Sequence, residues 1–282
     1  MSRVRGPLES PERERNGHNV EHIVRYWEQP QIWGEHLNSL DHVRVPETIG
    51  MIPAAARTIV EVGCGNGRLL NRTPATSRRV GVDLSATALK QVRGHAIQAS
   101  CDRMPLATGA ADLVLCADVL EHLPDDAMRA TAEEMKRVTR RYLLIGVPFE
   151  ERFEAGRVRC ASCGHVYNQF GHLRRFTSAS LDRLFRGYRP VATRFVGGPR
   201  KYYSRSLLWI QQRLGRTYWG DARGVVCPSC GSTDSRAPKR RLDQKVIAKL
   251  GYLANEAVDR LMPVRWKPAH EIVRLYERSR RI

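Results

Sequence analysis

Between residues 58 and 146, short apolar blocks alternate with longer segments in which apolar residues recur every three or four positions. The blocks TIVEVG, RRVGVDL, HAIQAS, ADLVLCA and RYLLIGVP read as strands, rich in β-branched residues and bounded by turn formers. A helix is expected to start directly after the first block, and SATALKQVRG and DDAMRATAEEMKRVT carry the helical period. Strands at such intervals with helices between them predict βαβ units, hence a parallel, doubly wound, Rossmann-like α/β sheet. Ligands of such sheets bind outside the carboxyl ends of the strands.

Flanking this block the pattern changes. Residues 1–18 are polar and charged with two prolines, which reads as a flexible leader. Ile23, Tyr26, Trp27, Ile32, Trp33, Leu37 and Leu40 then recur at helical spacing, so residues 1–50 are expected to be a leader plus a helical lid. Residues 51–150 form the core, 151–235 an acceptor-side segment, and 236–282 a helix followed by a last strand. Within the final segment Val246, Leu250, Leu253, Ala257 and Leu261 form one helical stripe, with Lys and Arg elsewhere. The plainer expectation is that the stripe packs on the domain, and the alternative is a basic amphipathic helix lying on a membrane surface. VATRFVG and HEIVRLYER alternate like strands and are expected to pair as the last antiparallel hairpin of the sheet.

Composition excludes several classes. At 282 residues and 42% hydrophobic content, the chain can bury a full core, which rules out disorder throughout. No apolar run reaches the roughly 20 residues of a transmembrane helix, and no apolar signal segment is seen. Seven cysteines, an odd number, fit a reducing cytoplasmic compartment better than a disulfide framework. The formal charge of +18 is unevenly placed: residues 1–50 carry −2, residues 51–150 carry +2, and residues 151–282 carry the remaining +18. Such asymmetry points to an anionic partner, whether nucleic acid, an acidic membrane surface or a phosphorylated substrate, or to a plain solvated basic face.

The first strand runs into Glu61-Val62-Gly63-Cys64-Gly65-Asn66-Gly67. Alternating glycines let the backbone turn sharply and approach a ligand. The spacing is G-x-G-x-G, not the G-x-G-x-x-G that cradles a diphosphate, and Glu61 ahead of it suits an ammonium group. The second strand ends at Asp83, placed to accept from ribose hydroxyls. A nucleoside with a cationic amino-acid arm fits both demands, and S-adenosylmethionine is such a molecule. A Rossmann-like domain for another nucleotide is the alternative.

With these motifs the chain resembles the class I S-adenosylmethionine-dependent methyltransferases of the E-V-G-C-G-x-G group, closely over about residues 58–150. The resemblance implies a seven-stranded sheet, with Glu61, Gly63 and Gly65 along the methionine part of the cofactor and Asp83 on the ribose. Cys64, Gly67 and Leu84 complete that lining, and Ala117 passes close to the cofactor. The segment ahead of Met104-Pro105 would meet adenine through Cys101 and Asp102. Ser100-Cys101 stands there in place of the family's Asp-Ala.

After the fourth strand comes Asp118-Val119-Leu120-Glu121-His122, and a helix starting there would put Asp118, Glu121 and His122 on one face. His172, in GHLRRFT after the fifth strand, is expected to return to the same rim. These groups suit a general base or a divalent cation such as Mg2+. The combination resembles the E-x-x-E-H and H-x-x-x-[FW]-T motifs of ubiquinone-pathway O-methyltransferases and small-RNA 2′-O-methyltransferases, with Asp118 in place of the first Glu. Glu121, His122 and His172 are therefore the catalytic candidates.

Cys160-Ala161-Ser162-Cys163-Gly164 and Cys227-Pro228-Ser229-Cys230-Gly231 are two C-x-x-C-G knuckles. Four thiolates make a closed tetrahedral site for structural Zn2+, and His165 is a reserve ligand. Two independent redox pairs are the alternative. The segment between the knuckles must fold as its own element, with SLLWIQQRLG as its helix. The functional expectation is methyl transfer to a hydroxyl of a small molecule or glycan, lipid-linked or free. RNA methylation, supported by the short basic-aromatic run Arg200–Arg205, is the second reading. The third is a zinc-containing binding protein that retains only a cofactor fold.

Overall fold

The computed structural model describes residues 27, 28, 33, 40–218, 227–233 and 239–279. Most of the predicted N-terminal leader and lid lies outside the described residues. The first described helix, α1, runs from Asp41 to Ile49. Strands β1 (Thr58–Val62), β2 (Arg78–Asp83), β3 (His95–Gln98), β4 (Ala111–Ala117) and β5 (Thr139–Pro148) are parallel to their neighbours. The final strand, β9 (Ala269–Arg278), inserts antiparallel between β5 and β8 (Tyr188–Pro199), so the seven-stranded order is β3-β2-β1-β4-β5-β9-β8. This is the mixed sheet expected from the motifs, with VATRFVG and HEIVRLYER paired as its last hairpin.

The central strands are apolar on both sides because both sheet faces are covered. One face packs Val60, Val82, Val114, Leu143 and Ile145 against Met135 and Val138 of α3 (Asp125–Val138) and Leu181 of α4 (Ser178–Leu184). The other packs Ile59, Leu113, Leu115 and Leu144 against Val45 and Met51. Acidic residues in the first turn of α3 and Lys136-Arg137 in its last complement the helix dipole.

Two predicted helices are much shorter than expected. After the Gly turn only a 3-10 turn forms at Leu70–Arg72, because Thr73 precedes Pro74 and is extended. The helix in SATALKQVRG is confined to α2, Ala86–Leu89, which is capped by the Ser85 side chain.

Between β5 and β8 a hairpin of β6 (Arg157–Arg159) and β7 (Val166–Asn168) carries the first cysteine knuckle. Between β8 and β9 come α5 (Arg205–Arg213), the second knuckle and α6 (Leu242–Leu261). α6 packs on α5 through Ala248, Gly251 and Asn255. There Asn255 donates to Gln211 Oε1 at 2.9 Å and accepts from the Ser204 backbone at 3.0 Å. The expectation that its apolar stripe packs on the domain is overturned: Val246, Leu250, Leu253 and Leu261 are exposed. The small and amide side chains fit the tight interhelical contact, and the leucines do not.

Candidate functional site

The carboxyl ends of β1, β2, β4 and β5 meet at one rim. Gly63, Gly65 and Gly67 all have positive φ, so the turn after β1 needs residues without Cβ strain. A Cβ on Gly65 would also sit 2.6 Å from the Trp33 ring. Gly65 N–H donates to Asp83 Oδ2 at 2.7 Å, and Ser85 N–H donates to Oδ1 at 2.8 Å. Asp83 thus holds the turn in place, and each oxygen keeps a lone pair for another donor. Burial raises the Asp83 carboxyl above its ordinary value.

Glu61 is buried at the end of β1, and its Oε2 has no hydrogen-bond partner. Burial pushes its carboxyl up to about 8. Cys64 is buried against Gly81 and is a packing residue. Leu84 is exposed beside Asp83. Ala117 lies against Gly146, where β4 and β5 approach closely. At the adenine-side segment, Cys101 accepts from Thr131 and Asp102 accepts from Ser100 at 2.5 Å.

Among the described residues, Trp27, Glu28 and Trp33 of the N-terminal stretch pack around this rim. Glu28 accepts from Ala86 N–H at 2.9 Å and Thr87 N–H at 3.2 Å, at the start of α2. Trp33 covers Gly65, and its carbonyl accepts from Gln91 at 3.1 Å. The Trp27 ring stands 5.7 Å from that of Trp33 and 5.6 Å from His122.

On the acceptor side the helix expected at Asp118 is absent; a 3-10 turn spans Leu120–His122 and α3 begins only at Asp125. Asp118 adopts φ 54° and pairs with Arg44, which is also paired with Asp41 at 2.5 Å and Glu271 at 3.5 Å. Asp118 is therefore outside the cluster that the sequence assigned it to. Glu121, His122 and His172 do come together: one ligating atom of each lies within 4.8 Å of the others. The two imidazoles meet edge-on at 5.0 Å. Both Glu121 carboxylate oxygens are buried without a partner, and burial lifts that carboxyl to about 7. Burial, with the His172 imidazole beside it, drives His122 down to about 3, so it is neutral.

His172 Nδ1 meets Glu151 Oε2 at 2.5 Å, and Arg200 lies 3.4 Å from the other Glu151 oxygen. Burial opposes the Glu151 charge, but the His172 bond and Arg200 prevail and hold its carboxyl below the usual range. Sequence reasoning missed Glu151, Glu271 and Arg44, and it read Arg200 as part of a nucleic-acid patch rather than as a partner of Glu151. Their one signal is that Glu151 lies just beyond the carboxyl end of β5, where functional groups of such sheets collect. These side chains line a cavity of about 640 Å³ together with Trp27, Phe170, Tyr203 and Arg152.

The cysteines of the two knuckles converge. Cys160 Sγ is 3.6 Å from Cys230 Sγ, and Cys163 Sγ is 3.7 Å from Cys227 Sγ. A tetrahedral ion with metal–sulfur bonds of about 2.3 Å needs sulfurs about 3.8 Å apart, whereas a disulfide needs about 2.05 Å. The two turns are built alike, with Gly164 N–H on the Cys160 carbonyl and Gly231 N–H on the Cys227 carbonyl. Both glycines have positive φ. His165 is outside the four-sulfur cluster and stacks on Tyr167.

Residues 59–141 match the model of the methyltransferase domain family. A ubiquinone biosynthesis O-methyltransferase from Ralstonia nicotianae is 31% identical over 127 residues, which is 40% of this chain and 53% of that protein. The enzyme of the same name from Albidiferax ferrireducens is 31% identical over 114 residues, 36% of this chain and 45% of that one. The chain spans about half the length of these curated relatives. Among solved structures, the 1,6-didemethyltoxoflavin-N1-methyltransferase of Burkholderia thailandensis, crystallised with S-adenosylhomocysteine, aligns with TM-score 0.50 at 14% identity over 98% of this chain and 94% of that one. A SAM-dependent methyltransferase from Thermotoga maritima aligns with TM-score 0.50 at 14% identity, over 93% of this chain and 100% of that one. Residues 59–141 thus match a methyltransferase-domain family, and the chain has the seven-stranded fold of these S-adenosylmethionine-dependent methyltransferase structures. To it is added a four-cysteine cluster able to hold a metal ion.

Proposed function

We propose that the chain transfers a methyl group from S-adenosylmethionine to a hydroxyl of a small molecule or glycan, and that the four knuckle cysteines hold a structural Zn2+. The observation that carries the reading is the buried Glu61 carboxyl, whose Oε2 has no partner, beside the Gly turn that Asp83 holds. Glu61 suits the cofactor's ammonium, and Asp83 has lone pairs free for ribose hydroxyls. S-adenosylmethionine supplies a methyl carbon on a sulfonium leaving group. The protein's task is then to hold the acceptor oxygen in line and to remove its proton.

His172 suits the second task. An ionised Glu151 fixes the proton on Nδ1, which leaves Nε2 with a lone pair. During methyl transfer His172 Nε2 would take the hydroxyl proton, and Glu151 would balance the resulting imidazolium. The aromatic wall of Trp27, Phe170 and Tyr203 suits a planar or glycosidic acceptor. The curated relatives, named ubiquinone biosynthesis O-methyltransferases, support an oxygen acceptor.

A second reading is favoured by the two partnerless Glu121 oxygens: Glu121, His122 and His172 would hold a divalent cation that polarises the acceptor hydroxyl. Two imidazoles and one carboxylate suit Mn2+ or Zn2+ better than Mg2+. RNA is disfavoured as acceptor because two of the three cations in the basic-aromatic run are spent internally. Arg200 is paired with Glu151 and the His270 carbonyl, and Lys201 with Glu256.

The test is calorimetric titration with S-adenosylmethionine, followed by labelled-methyl transfer to catechols and to hydroxylated glycans, with and without chelator. His172→Ala should bind the cofactor normally yet lose about 10²–10⁴ in turnover. An absence of cofactor binding by the wild type would sink the reading. Turnover that survives His172→Ala but not chelation would move the role to the cation.

A further inference from the structure

We propose that α6 docks the protein on a bilayer containing anionic lipid, by inserting its apolar stripe among the headgroups. At about 100° per residue, Leu242, Val246, Leu250, Leu253, Ala257 and Leu261 fall within an arc of about 100°. All six are exposed, Leu242 at 78%, Leu250 at 61% and Leu261 at 82%. The opposite side of the helix, with Ala248, Gly251 and Asn255, is the one that packs on α5. The helix thus turns its small and polar residues inward and its leucines outward, the reverse of a helix that serves only its own core.

Beyond the helix end, Val264 and Trp266 are also exposed, at 67% and 63%. Tryptophan is at home where an apolar phase meets water.

The charges around the stripe select the occupant. Every acid between residues 239 and 267 is already engaged: Asp243 by Arg241, Glu256 by Lys201, and Asp259 by Lys267. Lys245, Lys249, Arg260 and Arg265 have no ion-pair partner among the described residues, and all four are exposed. Lys245, Lys249 and Arg260 lie along one flank of the stripe. Cations beside an apolar face complement anionic headgroups over acyl chains. Two copies of the same face would bring these cations together, which opposes self-association. The helix does not cross a membrane: no helix among the described residues is long and apolar enough to do so.

The inference stands apart from methyl transfer. It is tested with the full chain and vesicles of phosphatidylcholine, alone or with a minority of phosphatidylglycerol, by co-sedimentation. The wild type should pellet with the anionic vesicles and at least tenfold more weakly with the neutral ones. Leu250→Asp with Leu253→Asp should reduce pelleting to background. Lys245→Glu with Lys249→Glu should weaken it about tenfold or more, since each cation near such a surface contributes about 1 kcal/mol. All of these side chains are exposed, so circular dichroism and S-adenosylmethionine binding should be unchanged. Anionic-vesicle binding that is absent, or indifferent to the Leu→Asp pair, overturns the proposal. So does gel filtration showing a dimer that the Leu→Asp pair dissociates. Retention on RNA with a steep salt dependence that Lys245→Glu and Lys249→Glu flatten overturns it as well.

Discussion

Glu61 illustrates how one side chain couples binding to stability. Its ordinary value is 4.5, and burial in the folded chain raises it to about 8. Between those limits the folded protein keeps a proton that the unfolded chain releases. Stability without ligand therefore falls as pH rises from about 5 to 8. Glu61→Gln removes the titration, so its melting temperature should follow pH less steeply over that window. Thermal denaturation at a series of pH values compares the two slopes. The same substitution should weaken S-adenosylmethionine binding, because the amide cannot balance an ammonium charge. At this scale the meeting of Glu121, His122 and His172 was legible, since each stands in a short motif after a strand. Glu151 was not, because its role depends on the position of His172, 21 residues away. Asp118 was misplaced, because only a regular helix would have put it on the face of Glu121.

Elements depart from the sequence pattern where local geometry overrides periodicity. The helix after the Gly turn fails at Thr73-Pro74, a signal present in the sequence but outweighed by the run of Arg and Leu. α6 was recognisable as a helix, yet its inward face could not be chosen by hydrophobicity. Gly251 lets Gln211 of α5 approach, and a bulkier residue there would push the helices apart. The knuckles were legible in full because C-x-x-C-G spacing directly encodes a turn. They clamp a loop in which Cys163 and Cys227 are 64 positions apart. By analogy with a covalent cross-link, closing such a loop restrains the unfolded chain by about 4 kcal/mol. We expect one zinc ion per chain by elemental analysis. Cys227→Ser should lose it, and a strong chelator should lower the wild-type melting temperature while leaving that of Cys227→Ser unmoved.

For the whole molecule, the nearly neutral first 150 residues and the strongly basic remainder are joined through one sheet. The lock between them is β9. Its Tyr276 is fully buried, packs on Phe185 at 5.6 Å and donates to Asp182 at 3.0 Å. Tyr276→Ala should cost about 3–5 kcal/mol, read as a lowered urea midpoint, because it opens a cavity between the sheet and α4. The seven-stranded architecture and its last hairpin were legible because strand alternation survives a long insertion. The depth of the insertion's union with the site was not. Lys201 lines the cavity that holds His172 and bonds to Glu256 of α6, a contact between segments 55 residues apart.

The place of β9 also dictates an order of assembly. As the chain leaves the ribosome, β1 to β5 emerge first, and β8 follows with no adjacent strand to join. For the whole time that α5, the second knuckle and α6 are being made, the growing sheet ends at the bare edge of β5. A bare edge on a strand of ten residues is a template for stray pairing with other chains. Both cysteine pairs are synthesised before residue 269, so the four thiols are available to a metal before β9 exists to close the sheet. The knuckles can gather β8, α5 and α6 while β5 waits, and that shortens the search by which β9 finds its slot. A newly made chain starved of zinc should therefore be most prone to aggregation in the interval before its last strand docks.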